Sequence, residues 1–338
     1  MNIKFLFLRG FMKQRIIKLL DFGSTENLSM IEVSIPKPES GKIVVKNNAI
    51  GLNFIDIYFR TGLYPWPNND EIKIPGSEGV GYVYAVGENV KDFKEGDKVA
   101  YVSNVGACAE YAHINSSSAV KINFTVDDFD VAASTLKGLT THYLLNLITE
   151  VDDTKTLLVH AAAGGVGQLM GQWGKDIGAT MIGTAGGPEK VQTATNQGYD
   201  HVIDYKKDNF VDEVIKFTNK NKCDVVYDGV AKDVFPGSMD CLKPRGLWVL
   251  FGQSSGPITD FNFGMLSSKG SLFVTRPTLA TFIADRIEYN ESADELYSRI
   301  SNGKLNIGIY EKMPLENISE AQDLLESRKT QGSIVFSL

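Results

Sequence analysis

A glycine-rich turn near the middle of the chain has the residue types and spacing that dinucleotide binding requires. Thr156 to Ala161 is an apolar run typical of a buried strand, and the turn Ala162 to Gly167 follows it. In the pattern G-x-G-x-x-G, Ala162 takes the first position, and Gly164 and Gly167 take the second and third. Gly164 lets the backbone approach a pyrophosphate, and Gly167 lets the next helix pack against the strand. The predicted contacts of the dinucleotide, at the N–H groups of this helix, are Ala163, Gly164, Gly165, Val166 and Gly167.

The end of the second strand distinguishes NAD from NADP. An NAD site carries Asp or Glu about 20 residues after the turn, where it binds the ribose. Here the strand Thr180 to Ala185 runs into Gly186 and Gly187 without a carboxylate, and Lys190 follows at the start of a predicted helix. An ammonium group there can reach a 2′-phosphate, whereas the neighbouring Glu189 points to another side of the helix. The sequence therefore favours NADP (NADPH) over NAD.

The cysteines and histidines do not have the spacing of a metal site. No Cys-x-x-Cys pair can be formed, and we predict reduced, buried thiols, structural histidines and no metal. Without a Lewis acid, alcohol oxidation is difficult, whereas electron-poor quinones and activated alkenes accept hydride readily. The residues concerned are Cys108, Cys223, Cys241, His113, His142, His160 and His201.

The elements that hold these residues are of two kinds. From Gln14 to about Leu136, short β-branched runs separated by Gly and Pro predict a compact, barrel-like β domain. From about Lys137, apolar strands alternate with helices, which predicts a doubly wound α/β fold with a parallel sheet covered on both faces. The predicted helices of this part are Gly165 to Ile177, Pro188 to Gln197, Phe210 to Asn219 and Val234 to Leu242.

The chain after about Ala280 returns to the first domain. Two helical stretches and a final strand, SIVFSL, follow that point. We therefore expect a nucleotide-binding domain over residues 138–280, inserted in a β-rich domain of residues 12–137 and 281–338. Residues 1–11 are interpreted as an upstream start or a disordered tail, with Met12 as the functional beginning.

Length and charge exclude several classes of protein. A chain of 338 residues is long enough for two domains, and its net charge of −7 argues against a nucleic-acid-binding surface. The apolar run Phe5 to Leu8 is too short for a signal peptide, and no apolar stretch approaches the ~20 residues of a membrane span. We expect a cytoplasmic protein.

Several blocks of the sequence resemble a known family. The two-domain pattern resembles the medium-chain dehydrogenase/reductase superfamily, and the blocks are similar to NADPH:quinone oxidoreductases of the zeta-crystallin group. The resemblance implies a Rossmann domain inserted in a GroES-like catalytic domain. Where zinc-dependent members carry a Cys and a Gly-His-Glu, this chain has Asn53 and Gly76-Ser77-Glu78, which implies a metal-free enzyme. The blocks are Asn53 to Asp56 with Tyr58, Arg60 to Pro65, Leu136 to Thr140, the glycine turn, Val225 to Asp228, Phe251 and Gly252, Gly270 to Pro277 and Leu325 to Arg328.

The resemblance also implies roles for individual residues. Asn53 and Tyr58 would line the nicotinamide end of a cleft between the domains, as the catalytic residues, and Thr140 would lie near the nicotinamide ribose. The 2′-phosphate would be surrounded by Lys190, Tyr205 and Arg328. The remaining cofactor groove would be lined by Gly186, Gly229, Phe251 and Val274. From the residues alone, Tyr58 could instead be a packed aromatic, Tyr205 a surface aromatic, and Arg328 a complement to a helix dipole.

The expected reaction is hydride transfer from NADPH to a quinone in the interdomain cleft. Water or Tyr58 would protonate the product, and one- or two-electron reduction stays open. One alternative is an enoyl or alkenal double-bond reductase. Another is a non-catalytic NADPH-binding protein, against which Asn53 and Tyr58 argue. We also expect a homodimer formed through the apolar strands Leu247 to Phe251 and Leu272 to Thr275, as edge strands of the sheet.

Overall fold

The computed structural model describes residues 12–67 and 69–338, which form two compact units. The first unit contains the described residues through Leu136, together with Tyr289–Ser301 and Ile307–Leu338. The second contains Lys137–Glu288 and Asn302–Asn306. Residues 1–11, interpreted from the sequence as an upstream start or tail, lie outside the described residues.

Strands and helices are numbered in chain order. The strands are β1 Lys13–Leu19, β2 Leu28–Ser34, β3 Lys42–Gly51, β4 Glu78–Val86, β5 Lys98–Val102, β6 Tyr111–Asn115, β7 Ala119–Lys121, β8 Thr156–Val159, β9 Thr180–Ala185, β10 His201–Asp204, β11 Cys223–Asp228, β12 Leu242–Leu250, β13 Phe273–Thr275, β14 Ile309–Pro314 and β15 Ser333–Ser337. The α-helices are α1 Phe54–Arg60, α2 Asp128–His142, α3 Gly165–Ile177, α4 Pro188–Asn196, α5 Phe210–Phe217, α6 Gly237–Asp240, α7 Gly264–Ser268, α8 Leu279–Phe282, α9 Arg286–Ser301 and α10 Ile318–Glu326. A π-helical turn, Tyr143–Ile148, continues α2.

The first unit is built on a seven-stranded sheet. Its strand order is β14-β15-β3-β4-β5-β7, with β6 paired to β3, and β1 and β2 form a separate antiparallel pair. Strands β14 and β15 are parallel, whereas the other neighbours are antiparallel. Apolar side chains on one face form the core, among them Ile43, Val45, Tyr101 and Phe336. The predicted β-rich domain is thereby confirmed.

Two helices of the first part of the chain were not predicted. The aromatic and β-branched residues of α1 favour a strand when considered alone. The helix forms because the Asp56 carboxylate accepts a hydrogen bond from the Asn53 N–H at 2.8 Å, which caps its first turn. Helix α2 runs through Lys137, where the sequence predicted only a change from β-rich to alternating structure.

A buried arginine at the end of α1 connects three segments of the first unit. The Arg60 side chain is 3% exposed, and its Nε donates to Gln322 Oε1 on α10 at 2.6 Å. The same guanidinium donates to the Gly23 carbonyl and to the Glu326 carboxylate. Because a buried guanidinium must have its donors satisfied, these contacts fix α10 against α1.

The second unit contains a six-stranded parallel sheet in the order β10-β9-β8-β11-β12-β13. Counted from β8, this order is 3-2-1-4-5-6, which is that of the Rossmann fold, and the strand order reverses between β8 and β11. The core lies on the sheet and includes Leu158, Ile182, Val226 and Trp248. The predicted doubly wound fold is confirmed.

The predicted helix Val234 to Leu242 is wrong in its extent. The structure forms only the short helix α6 there, and β12 already begins at Leu242. Pro236 has no N–H to donate and Gly237 is a poor helix former, so a longer helix cannot start in this segment. None of the described helices has both the length and the apolar character needed to cross a bilayer.

Candidate functional site

The glycine turn connects β8 to α3 with its backbone close to the neighbouring strand. The Ala162 N–H donates to the Thr184 carbonyl of β9 at 2.9 Å, and Gly164 is the N-cap of α3. From the sequence, we expected the tight turn at Ala162, the first position of the glycine pattern. The structure instead places the left-handed conformation one residue earlier, at Ala161, with a φ of 55°. The methyl group of Ala162 is buried beside Gly183, where a Cβ would lie 2.7 Å from it.

Two glycines of the turn have different steric surroundings. A Cβ on Gly167 would lie 2.5 Å from the Ala161 carbonyl oxygen and 2.7 Å from the Ala162 Cα. Both are backbone atoms that cannot rotate away, so Gly167 allows α3 to pack against the turn. A Cβ on Gly164 would meet only the Ala161 oxygen, at 3.2 Å. The backbone is therefore much less crowded at Gly164 than at Gly167, which suits the approach of a pyrophosphate.

Five further residues predicted to bind the cofactor in this unit follow or lie in successive strands of the parallel sheet. Ligands of open α/β sheets bind at the carboxyl ends of the strands, near the point where the strand order reverses. The structure therefore brings these residues to the edge of the sheet that carries the glycine turn. They are Gly186 after β9, Tyr205 after β10, Gly229 after β11, Phe251 after β12, and Val274 in β13.

Two of these glycines lie directly under an aromatic ring. A Cβ on Gly229 would lie 2.9 Å from the Phe251 ring, and one on Gly186 would overlap the Tyr205 hydroxyl. A side chain on Gly229 would force the Phe251 ring to shift, whatever else contacts Gly229. Tyr205 is 49% exposed and covers a backbone turn with one side of its ring, so it is a surface aromatic with a defined position.

A carboxylate that the sequence analysis missed lies beside Gly186 and Gly187, which form the turn between β9 and α4, called the second turn below. Asp204, the last residue of β10, is buried, and its Oδ1 accepts from the Gly187 N–H at 2.8 Å and the Lys206 N–H at 3.1 Å. The hydrogen bond from Gly187 holds the pKa of the Asp204 carboxyl below its usual range. The end of β9 carries no carboxylate, as the sequence indicated, but Asp204 of the neighbouring strand β10 reaches the same turn, where its Oδ1 binds backbone N–H groups. The sequence signal that could have identified it is an aspartate at the end of a predicted strand.

A second missed carboxylate organises the centre of this edge. Asp228, at the end of β11, is fully buried, and its Oδ1 accepts from the N–H groups of Val230 and Ala231, each at 2.8 Å. Its Oδ2 accepts from the Ser238 hydroxyl and from Trp248 Nε1, each at 3.1 Å. Four neutral donors thus replace the hydration of one buried carboxylate.

His160 extends this network towards the glycine turn. Its Nε2 lies 3.1 Å from Ser238 Oγ, and its Nδ1 lies 3.0 Å from Thr184 Oγ1. Because the Ser238 hydroxyl donates to Asp228, His160 donates from Nε2, and Nδ1 accepts from Thr184. Burial lowers the pKa of His160, an effect that the Asp228 charge opposes, so the ring is neutral. Ser, His and Asp are all present, but Asp228 contacts the serine and the group is buried, which does not suit a nucleophile.

Asn53, Ser77 and Glu78, predicted to stand where zinc ligands would lie, are hydrogen-bonded among themselves and to Asp56. Asn53 Nδ2 donates to Glu78 Oε1 at 2.8 Å, and Glu78 Oε2 accepts from the Leu136 N–H at 2.6 Å. The Ser77 hydroxyl donates to Asp56 Oδ1. All four of these side chains are buried. Among the described residues, no group of three or more His, Cys, Asp and Glu side chains could hold a metal ion.

The other predicted site residues lie in both units. In the first unit, Tyr58 is buried on α1 with its ring 5.1 Å from that of Tyr64, so it packs as an aromatic. Arg328, two residues after α10, is exposed and has a φ of 55°. In the second unit, Thr140 is buried near the end of α2, and Lys190 lies in the first turn of α4.

The open backbone at Gly164, the N-terminus of α3 and Lys190 fit a dinucleotide that carries a 2′-phosphate. The helix start offers N–H groups to phosphate oxygens, and the ammonium group offers a positive charge near the second turn. Asp204 Oδ1 accepts two backbone N–H groups, and Asp204 Oδ2 lies 3.8 Å from the Lys207 ammonium, so both oxygens interact with groups of the chain.

Comparisons with known proteins agree with this architecture. Residues 39–145 match the alcohol dehydrogenase GroES-like domain family, and residues 165–296 match the zinc-binding dehydrogenase family. The chain is 43% identical to a quinone oxidoreductase of Pseudomonas aeruginosa, over 95% of this chain and 98% of that protein. It is similar to the Escherichia coli quinone oxidoreductase complexed with NADPH, with a TM-score of 0.91 and 40% identity over 97% and 100% of the two chains. A 2-haloacrylate reductase of Burkholderia is 34% identical over 93% and 96% of the two chains.

The two glycines of the turn give a matched pair of variants. We expect Gly167→Ala to reduce the free energy of unfolding by about 1–3 kcal/mol, because its methyl group would overlap the backbone of Ala161 and Ala162. Gly164→Ala should cost less than about 1 kcal/mol, because Gly164 has a φ of −78° and only one atom near its Cβ position. Urea unfolding of both variants measures the difference, and equal losses would contradict the packing role of Gly167.

Proposed function

Since the chain belongs to the quinone oxidoreductases of the medium-chain dehydrogenase/reductase superfamily, we propose that it transfers a hydride from NADPH to a quinone without a metal ion. The chain is an NADPH-dependent oxidoreductase. The observation that carries the proposal is the dinucleotide cradle of the second unit, in which an open glycine turn and Lys190 lie along one edge of a Rossmann sheet.

The cofactor brings the redox chemistry, and the chain brings binding and orientation. Bound NADPH supplies a hydride from C4 of its nicotinamide, and the quinone takes up this hydride and one proton to become a hydroquinone. The N–H groups at the start of α3 bind the pyrophosphate, and Lys190 binds the 2′-phosphate. Thr140, Gly229, Phe251 and Val274 are proposed to contact the remainder of the cofactor, and Tyr205 and Arg328 its 2′-phosphate.

Independence from zinc is supported by the side chains in the ligand positions. Asn53 and Ser77 carry no thiolate or imidazole, and both donate hydrogen bonds to neighbouring carboxylates. A zinc site of this superfamily would need soft ligands at these positions. A quinone does not need a Lewis acid, because it is already electron-poor.

Asn53 and Tyr58 are proposed to contact the nicotinamide and the acceptor. The hydrogen bond to Glu78 fixes the orientation of the Asn53 amide at the start of α1. Tyr58 is the proposed proton donor, with water as the alternative. In the acceptor assay below, Tyr58→Phe should lower kcat if the phenol donates the proton, whereas Tyr64→Phe serves as the neighbouring control.

A second acceptor class is favoured by one relative. The similarity to a 2-haloacrylate reductase supports activity on an activated carbon–carbon double bond, with the same cofactor and the same hydride chemistry. The two candidate functions differ only in the acceptor.

We also propose that a second copy of the chain pairs with β13. This strand is at one end of the six-stranded sheet, and its Phe273 is 61% exposed. The prediction of Leu247 to Phe251 as an edge strand is wrong, because β12 pairs with β11 on one side and with β13 on the other. An edge strand with an exposed aromatic is stabilised by pairing with an identical strand. Small-angle scattering should give the mass of a dimer, and a monomeric mass at micromolar concentration would refute this arrangement.

The cofactor preference can be tested on Lys190. We expect the chain to bind NADPH more tightly than NADH, and Lys190→Ala to reduce that preference by about tenfold, because a charge-assisted contact with the 2′-phosphate is lost. Isothermal titration with both dinucleotides measures the ratio. Lys216→Ala is the control, because this lysine pairs with Glu213 on α5. Equal affinities of the unmodified protein for the two dinucleotides would contradict NADPH dependence.

The acceptor can be tested directly. NADPH oxidation should be fastest with quinones in a panel of quinones, enones and alkenals, and it should persist in the presence of EDTA. A higher kcat/KM with alkenals would favour the double-bond reductase. Loss of activity in EDTA, restored by zinc, would overturn the metal-free proposal.

A further inference from the structure

The turn between β10 and α5 brings a lysine to the second glycine turn of the dinucleotide unit. The Lys206 ammonium lies 3.9 Å from the position that a Cβ on Gly187 would occupy. Lys206 is exposed, and its ammonium forms no ion pair with any carboxylate of the described residues. Its positive charge is therefore available beside the start of α4.

The next residue, Lys207, forms an ion pair. The Lys207 ammonium lies 3.8 Å from Asp204 Oδ2, so its charge is directed at that carboxylate. The charge of Lys206 also helps to lower the pKa of Asp204, but Lys206 forms no ion pair with it. Lys207 is thus the lysine paired with Asp204, whereas the Lys206 ammonium lies beside the Gly187 turn.

Asp204 connects the turn before α4, at Gly187, with the turn after β10, at Lys206. Its Oδ1 accepts from the N–H of Gly187, which precedes α4, and from the N–H of Lys206. Gly187 has a φ of 95°, a conformation that favours glycine, so this backbone is fixed on both sides. One buried oxygen therefore sets the distance between the backbone of Lys206 and the turn that leads to Lys190.

We propose that Lys206, positioned by Asp204, is a second determinant of 2′-phosphate recognition beside Lys190. This inference rests on the proposed NADPH-dependent function, and it concerns which residues of the chain produce the preference for NADPH. Lys206 would contact the phosphate, and Asp204 is a positioning residue that acts through the backbone of the turn.

The adjacent lysines provide a matched comparison. We expect Lys206→Ala to weaken NADPH binding by about tenfold and to leave NADH binding unchanged, since only the 2′-phosphate contact is lost. Lys207→Ala should change both affinities by less than about twofold, because its charge is screened and already paired. Isothermal titration at low and high salt measures this, and the difference between the two variants should shrink as salt is raised. An equal effect of the two variants, or none of either, would overturn the role of Lys206.

The positioning role of Asp204 needs a conservative variant. Asp204→Ala removes the acceptor of both backbone N–H groups and should reduce the NADPH-to-NADH affinity ratio about as much as Lys206→Ala. Asp204→Asn keeps a carbonyl oxygen for these donors and should restore the ratio to within about twofold of the unmodified protein. Tighter NADPH binding by Asp204→Ala would show instead that this carboxylate only repels the phosphate. An unchanged ratio together with a lower melting temperature would assign Asp204 a purely structural role. Either result overturns the proposal for Asp204.

The failure of this inference can be told apart from the failure of the proposed function. If the unmodified protein binds both dinucleotides equally, the NADPH dependence is wrong. If it prefers NADPH and Lys190→Ala reduces the preference while Lys206→Ala does not, only the role of Lys206 is wrong. These binding measurements need no acceptor, so they do not depend on the identity of the quinone.

Discussion

The buried charge of Asp228 is the constraint on which the dinucleotide edge of the Rossmann sheet depends. A carboxylate without water is stable only when hydrogen bonds replace its hydration, and Asp228 has four donors from its own loop, from α6 and from β12. Through Ser238 and neutral His160 the same network reaches Thr184, at the end of β9. Five elements are thereby fixed at their ends before any ligand binds. Such preorganisation keeps the cost of ordering the turn out of the binding step.

Buried carboxylates of the first unit also accept hydrogen bonds from donors of the chain. Glu78 accepts from the Asn53 amide and from the Leu136 N–H, and Asp56 accepts from the Asn53 N–H and the Ser77 hydroxyl. The positions where relatives of the superfamily carry metal ligands are therefore joined to each other by hydrogen bonds. Neutral donors of the chain thus satisfy these buried carboxylate oxygens.

The sequence predicted those features of the fold and the site that are determined by residues close together in the chain. Helix α3 and strand β9 have the predicted bounds because Gly164 and Gly178 mark the ends of the helix and the strand is uniformly apolar. Helix α1 was missed because its aromatic residues favour a strand until Asp56 caps it. The cradle at Gly164 and Gly167 was predictable from the turn alone. The hydrogen bonds of Asp204 and Asp228 were not, because each joins segments that meet only in the folded sheet, and a sequence pattern carries no distance between them.

The electrostatic potential at the second turn depends on which groups contact each nearby charged side chain. The chain carries a net charge of −7, so a dinucleotide with several phosphates is repelled unless the local balance is positive. Asp204 would add to this repulsion, but its oxygens face two backbone N–H groups and the Lys207 ammonium. These contacts reduce its field towards the turn, where Lys190 and Lys206 add positive charge. Asp204 Oδ1 accepts hydrogen bonds from the backbone, and the same contacts hold the backbone of Lys206, the lysine that we propose for 2′-phosphate recognition.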